Sequence, residues 1–535
     1  MPMSADRHTS PRALRGVHLV GLLLIVVLGA YLRLANQPDN PGWFTDEGTH
    51  LDIAKNLSHG RVQYFAIEQS TLLFGRMPVF DTLLAALLRA GIGGIQTLRA
   101  LTGVLGVLSV IVLCIVVHRA SRDPALALLA ALMLAVYPQA VLYSRFGFSY
   151  NLLTPLALIA ILGLHEYLAA SRLRWLVVSA AAIGLGAVAD LLMLVLIPGI
   201  VLIALARRRR HALWAGAIVT APLLVYGLAM LATSPQALLF DTRFTVSRVG
   251  SLPIVDQLVS VATNYTTLVS QDSWIALGLT GLFMLPSPRL RGLSLLSLLM
   301  PIALVGRTVA LHSLSFYYMI PWLPLVALGV ASLMRYGLPR IRQIVFEGLS
   351  TLCGWTRWSR ILSATSVLTL AMIAAAPVAV SIVLTLDRVS GRFGTVIDPF
   401  LIEPDDARRV ADYVNSTANA EDLIIASPGV GWQLRASVAD FQMAVAASGQ
   451  ATVHLPAGIP PDRFAFDARL SNARLVIVDN LWRNWGAVHM PQVAAMIREV
   501  ESWPLALRSG EIAVYRNPSW TLPDKIRLQS TFKER

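Results

Sequence analysis

The sequence predicts a polytopic all-α membrane domain of about eleven transmembrane helices, followed by a small extracytoplasmic α/β domain. Three observations predict it. Hydrophobic residues fill 55% of the 535 positions and charged residues only 14%, with a mean hydropathy of +0.62, which is not the composition of a soluble chain. Apolar runs of spanning length recur between short basic connectors. After residue 387 the pattern changes to amphipathic helices alternating with short apolar strands.

The apolar runs fall near 16–35, 97–117, 124–142, 151–170, 175–189, 190–206, 212–231, 274–287, 292–308, 319–334 and 361–386. The stretch 175–206 is too long for one helix and has basic residues at both ends, so it reads as two short helices turning near Asp190. The connectors that carry Arg7, Arg12 and Arg15, Arg119 and Arg122, Arg172 and Arg174, the arginines at 207–210, Arg289 and Arg291, and the basic segment 335–360 all fall on one side when the spans alternate. The positive-inside rule makes that side cytoplasmic. It places the N-terminus there and the C-terminal domain outside, as in a multi-pass protein of the plasma membrane. The formal charge of +13 follows from the same blocks, which lie between apolar runs rather than along one polar face, and this excludes nucleic acid as a partner. Cys114 and Cys353 offer neither a disulfide framework nor a metal-ligand spacing.

Two domains follow, the membrane domain at 1–387 and the outer α/β domain at 388–535. In the latter, helices are expected at 405–416 and 492–500 and strands at 422–426, 474–479 and 511–515. The turn Gly429-Val430-Gly431 is too short for a dinucleotide fingerprint. The membrane domain leaves four segments on the outer side, at 36–96, 143–150, 232–273 and 309–318. The first holds two stretches with helical spacing, 46–57 and 78–90, which read as helices lying in the membrane interface, the second equally well as a partial span.

The segment Phe44-Thr45-Asp46-Glu47-Gly48 puts two adjacent carboxylates just past the first apolar run, at the outer surface, where acids beside lipid are usually functional. The plain alternative is that both acids cap the helix that follows. The first span followed by Thr45-Asp46-Glu47-Gly48-Thr49-His50-Leu51-Asp52, then Gly75-Arg76-Met77-Pro78-Val79-Phe80, resembles the GT-C superfamily of membrane glycosyltransferases. It is most similar to the bacterial glycosyltransferase family 39 group, related to protein O-mannosyltransferases and lipid A aminoarabinose transferases. The resemblance extends to Tyr143-Ser144-Arg145 and to Tyr317-Tyr318-Met319-Ile320-Pro321-Trp322-Leu323-Pro324. It implies transfer of a sugar, hexose or pentose, from a polyprenyl-phosphate donor to a lipid, glycan or protein acceptor on the outer face.

The chemistry gives each candidate a task. An acceptor hydroxyl is a poor nucleophile, and a carboxylate within hydrogen-bond reach takes its proton as the new bond forms. Asp46 is the expected general base and Glu47 its positioning partner. The lipid phosphate leaves as an anion, so the site calls for cations or a divalent metal, Mg or Mn. Arg145, Arg76 and Arg307 are the expected donor-phosphate ligands, Asp46 and Glu47 the candidate metal ligands, and His312, Tyr317 and Tyr318 the expected substrate contacts. Asp52 reads as support for its own helix. The sequence departs from the related enzymes in lacking an acid in the turn 146–151 and another before Pro78, which leaves a divalent ion short of oxygen ligands; Asn151 as a neutral metal ligand and Arg76 as a cation are considered in their places without being assigned. A second functional reading is a polyprenyl-phosphate carrier or transporter of envelope assembly without chemistry, and a third is a scaffold that recruits partners through residues 388–535.

Overall fold

The computed structural model describes residues 11–69, 77–247, 253–305, 316–340, 343, 344, 347, 356–391 and 400–520. Arg76, Arg307, His312 and Cys353 lie outside them. In chain order the elements are α1 (Pro11–Leu34), β1 (Trp43–Phe44), α2 (Thr45–Ser58), β2 (Gln63–Tyr64), β3 (Ile67–Glu68) and α3 (Pro78–Arg89). There follow α4 (Gly94–Ser121), α5 (Pro124–Val136), α6 (Pro138–Ser144), α7 (Tyr150–Ala170), α8 (Leu173–Ala187), α9 (Ile197–Arg207) and α10 (Arg209–Thr233). Next come α11 (Pro235–Ser247), α12 (Ile254–Gln271), α13 (Ser273–Leu282), α14 (Pro288–Val305), α15 (Leu323–Ser332) and a long helix Thr356–Ser390. The strands β4 (Leu401–Ile402), β5 (Leu423–Ile425), β6 (Ser437–Ala439), β7 (Ala473–Val478), β8 (Leu505–Ser509) and β9 (Ile512–Arg516) complete the chain, with helices Pro404–Thr417, Phe441–Ala447 and Pro491–Val500 among them.

These elements form two compact units. The first comprises Met1–Pro41, Arg99–Ala229 and Val246–Arg392, and the second Gly42–Leu98, Met230–Thr245 and Phe393–Arg535. Among the described residues five helices are long and apolar enough to cross a membrane, and six if α5 and α6, bent by 59°, count as one span. The chain is a multi-pass membrane protein. The break between α5 and α6 falls at Tyr137, whose extended backbone precedes Pro138, a residue that cannot continue the ladder of α5. The stretch 175–206 divides as its length predicts: α8 ends at Ala187, and the Asp190 carboxylate then accepts the Leu192 N–H at 2.9 Å to start a new 3-10 turn at Leu191–Leu196. Small residues set the packing of α13 on α15. A Cβ on Gly281 would stand 1.8 Å from the Gly329 carbonyl oxygen, and one on Gly329 1.9 Å from that of Gly278. Such backbone contact is how apolar helices associate in lipid, where burial alone gives no driving force. The segment 232–273, expected as a loop, is mostly helical, in α11 and α12.

The second unit is built on a five-stranded sheet in the order β6-β5-β7-β9-β8. Strands β6, β5 and β7 run parallel, while β9 is antiparallel to both β7 and β8. Helices Pro404–Thr417 and Pro491–Val500 and strands β5, β7 and β9 match the sequence expectations within two residues at either end. Strands β6 and β8 are additional. The domain expected at 388–535 is not alone in this unit, because β1 pairs antiparallel with β4, Trp43 opposite Ile402 and Phe44 opposite Leu401. Phe464 bridges to Ile67, and the Ala465 N–H donates to the Ala66 carbonyl at 2.9 Å. The segment Gly42–Leu98, expected as an outer loop of the membrane domain, therefore folds with the C-terminal sheet. Helix α2 buries ten of its fourteen residues, so it is enclosed by protein rather than laid with one face toward headgroups.

Candidate active site

The Asp46-Glu47 pair opens α2. Phe44 is extended at the cap position, and the Glu47 carboxylate reaches back to accept the Phe44 N–H at 2.8 Å, the reciprocal half of a capping box. The Thr45 N–H and hydroxyl both donate to the Phe400 carbonyl, at 2.9 and 3.0 Å. Glu47 is fully buried, whereas Asp46 in the same turn is only half-buried. The two acids thus divide the alternatives weighed from sequence. Glu47 caps, and Asp46 is the carboxylate of the first turn that meets solvent.

Glycine follows them for a steric reason. The turn Pro428–Gly431 at the end of β5 packs on α2, and only a residue without a side chain fits at Gly48 beneath the Pro428 carbonyl. Gly429 answers it, since a Cβ there would stand 2.3 Å from Ile402 Cδ1. One turn beyond Asp46 lies His50, whose Nδ1 is 2.5 Å from Asp81 Oδ1 of α3. Side chains four residues apart share a helix face. The Thr49 hydroxyl meets that of Tyr64 at 3.2 Å. Asp52 does more than support its helix: it accepts the Phe65 N–H at 2.6 Å and the Asn56 amide at 3.3 Å, and burial pushes its carboxyl up to about 6. The His50–Asp81 pair was the contact of α2 least visible in sequence, although an acid inside the apolar stretch 78–90 already needed a partner.

The other expected residues that the structure describes belong to the first unit. Arg145 is fully buried, and its guanidinium donates to main-chain carbonyls: Nε and Nη2 to Asn40 at 3.1 and 2.7 Å, Nη1 to Leu32 at 2.9 Å and Nη2 to Asn36 at 3.2 Å. That geometry fastens the chain after α1 and departs from the phosphate grip expected of Arg145. Arg99, also buried, does likewise at the Pro38 and Pro41 carbonyls, at 2.5 and 2.7 Å. Asn151, considered from sequence as a neutral metal ligand, donates from Nδ2 to the carbonyls of Tyr143, Phe146 and Phe148 at 3.0, 3.3 and 3.2 Å. Tyr317 and Tyr318 come together with the turn after α6. Tyr317 stacks on Phe148 and Tyr150 with centroids 5.7 and 5.9 Å apart, and Tyr143 stacks on Phe316 at 5.7 Å. Tyr143, Tyr150, Tyr317 and Tyr318 are all half-buried, so this ring cluster retains accessible edges.

Among the described residues no three His, Cys, Asp or Glu side chains gather as metal ligands. Of the two carboxylates expected to hold Mg or Mn, that of Glu47 is buried and engaged by a main-chain N–H.

The fold is shared with solved structures, and a family model matches part of the chain. The family model for dolichyl-phosphate-mannose-protein mannosyltransferases matches residues 76–238. The chain is similar in structure to ArnT from Cupriavidus metallidurans bound to undecaprenyl phosphate, at 14% identity and a TM-score of 0.56, over 96% of this chain and 100% of that one. The apo state of the same protein gives a TM-score of 0.60 at 14% identity, over 95% and 99%. The archaeal oligosaccharyltransferase AglB from Archaeoglobus fulgidus, in complex with an inhibitory peptide and a dolichol-phosphate, gives 0.52 at 13% identity, over 95% of this chain and 75% of that one. No curated protein sequence matches the chain.

Proposed function

We propose that the protein transfers a glycosyl group from a polyprenyl-phosphate-linked sugar to a hydroxyl acceptor on the outer face of the membrane, with Asp46 as general base. The observation that carries this reading is the division of labour at the start of α2, where Glu47 is buried as a cap and Asp46 alone is left half-exposed. The fold supports it. The ArnT structure that this chain resembles over nearly its whole length was solved with undecaprenyl phosphate, and AglB with a dolichol-phosphate.

In the proposed step the acceptor oxygen forms its bond to the anomeric carbon as the bond from that carbon to phosphate oxygen breaks. The configuration inverts, the acceptor proton passes to an Asp46 oxygen, and the lipid phosphate departs as an anion. Arg76 and Arg307 are the cations proposed to stabilise that anion, and Tyr317 and Tyr318 are proposed substrate contacts. Glu47 acts only by holding the turn that carries Asp46.

The test is turnover by purified wild type and Asp46→Asn in detergent, with polyprenyl-phosphate hexoses and pentoses as donors, with and without a divalent ion. Transfer or sugar release by wild type, absent from an equally folded Asp46→Asn, is the expected result. Saturable donor binding with no turnover of any donor would establish the carrier reading instead.

A further inference from the structure

We infer that His50 and Asp81 are a positioning pair that fixes the rotation of α2, and so the place of Asp46; the inference rests on the reading of Asp46 as the base. The pair is short, 2.5 Å from Nδ1 to Oδ1, and its side chains are only 2% and 1% exposed. Nδ1 of His50 and Oδ1 of Asp81 share one short hydrogen bond, which holds the imidazole in one orientation. Among the described residues the second oxygen, Asp81 Oδ2, is buried and meets no donor. The carboxylate is thus committed to α2 in one direction only. The edge of the His50 ring also packs on Phe80, with centroids 4.9 Å apart at 71°, which leaves the ring little freedom to swing.

Helix α2 is held elsewhere by shape, by main chain and by the Thr49–Tyr64 and Asp52–Phe65 hydrogen bonds. Its start is hydrogen-bonded to Phe400, and Gly48 lies under the Pro428 carbonyl. The His50–Asp81 bond adds a buried polar tie from α2 to α3, one turn after Asp46. His50 follows Asp46 by four residues, so a turn of α2 that breaks this bond moves the Asp46 carboxylate with it. A displacement of about 1 Å at a reacting group costs on the order of a hundredfold in rate.

The double variant His50→Phe/Asp81→Leu tests this, because exchanging a buried polar pair for apolar groups of similar size leaves no orphaned charge and need not destabilise. The expected result is a melting temperature close to wild type, kcat lower by about 30- to 100-fold, and donor KM within about threefold. Asp81→Asn, which still offers an acceptor to His50, should keep kcat within about fivefold. Wild-type kcat in a double variant that melts like wild type overturns the inference. If the double variant does not fold, His50→Gln decides: its amide still donates to Asp81, so a loss beyond about a hundredfold at wild-type melting temperature overturns the inference, and a smaller loss supports it. Asp46→Asn is measured alongside. If it turns over like wild type, the assignment of the base has failed; if it is inactive while the double variant is fully active, only the positioning role has.

Discussion

The α-carbon of Gly48 faces the main-chain carbonyl of Pro428 so closely that an added Cβ would stand 1.9 Å from the oxygen and 2.4 Å from the carbon. Neither partner is the end of a flexible side chain, so nothing can yield locally. Gly48→Ala should cost about 1–3 kcal/mol and lower the melting temperature, and it should reduce turnover through the displaced turn. Unfolding and turnover measured on one preparation check this. Wild-type values for both would mean that α2 and the turn at Pro428 separate freely.

The two acids at the start of α2 should respond in opposite ways. Asp46→Asn, at a half-exposed position, should change stability by less than about 0.5 kcal/mol while removing activity. Glu47→Gln keeps an acceptor for the Phe44 N–H and should retain most activity. Glu47→Ala loses the cap and should cost about 1 kcal/mol. Urea titration beside single-turnover assays separates the two cases.

The raised carboxyl of Asp52 gives the second unit a signed pH dependence. Its folded value of about 6 exceeds the ordinary 3.8 because burial disfavours the anion. The folded state therefore holds a proton that the unfolded state has released between those values. The contribution to stability is complete below 3.8 and is lost as pH rises through about 6. Asp440, buried at the end of β6 and raised to about 6 for the same reason, adds a slope of the same sign. Asp52→Asn should flatten the fall in stability between about pH 4 and 6, which thermal unfolding across that range will read out.

Arg145 should prove structural in the state described. Arg145→Lys keeps the charge but cannot serve three carbonyls with a planar fork, and it should destabilise the protein by about 1–3 kcal/mol. Donor KM, measured on the folded fraction, should stay within a few-fold of wild type. A large rise in KM with unchanged stability would return Arg145 to the phosphate.

In the second unit Arg463 and Asp241 form a buried pair, at 3.3 Å with side chains 3% and 0% exposed. Arg463→Met strands the carboxylate and should cost about 3–5 kcal/mol. Asp241→Leu combined with Arg463→Met should recover most of that loss. A double-mutant cycle by chemical denaturation measures the coupling.

What was legible in the sequence was whatever repeats over many residues. Strands β5, β7 and β9 and helices Pro404–Thr417 and Pro491–Val500 showed as local patterns, and the break at Asp190 showed as a length that one helix could not fill. Strands β1 and β4, two residues each, carry no periodicity, and their pairing joins positions far apart in sequence. That pairing is what moves Gly42–Leu98 out of the membrane domain. The adjacent acids Asp46 and Glu47 stood out in the sequence, but which of them is buried as the cap did not, because that depends on which carboxylate turns back to Phe44. The surroundings of Arg145 were not legible for a related reason: a cation beside an outer turn suggests an anion, and sequence does not show which carbonyls a folded backbone leaves pointing inward.

The pairing of β1 with β4 also sets a clock. Thr45 and Phe400, bonded in the finished fold, are 355 residues apart. At ordinary synthesis rates of roughly 5–20 residues per second, the segment that carries Asp46 waits roughly 20–70 s before its partner strand leaves the ribosome. The nascent chain inserts most of its hydrophobic helices before that segment can be completed. Chains cut short before residue 400 never form the β1–β4 pairing or the Thr45–Phe400 bonds, so in them the start of α2 lacks its partner strand.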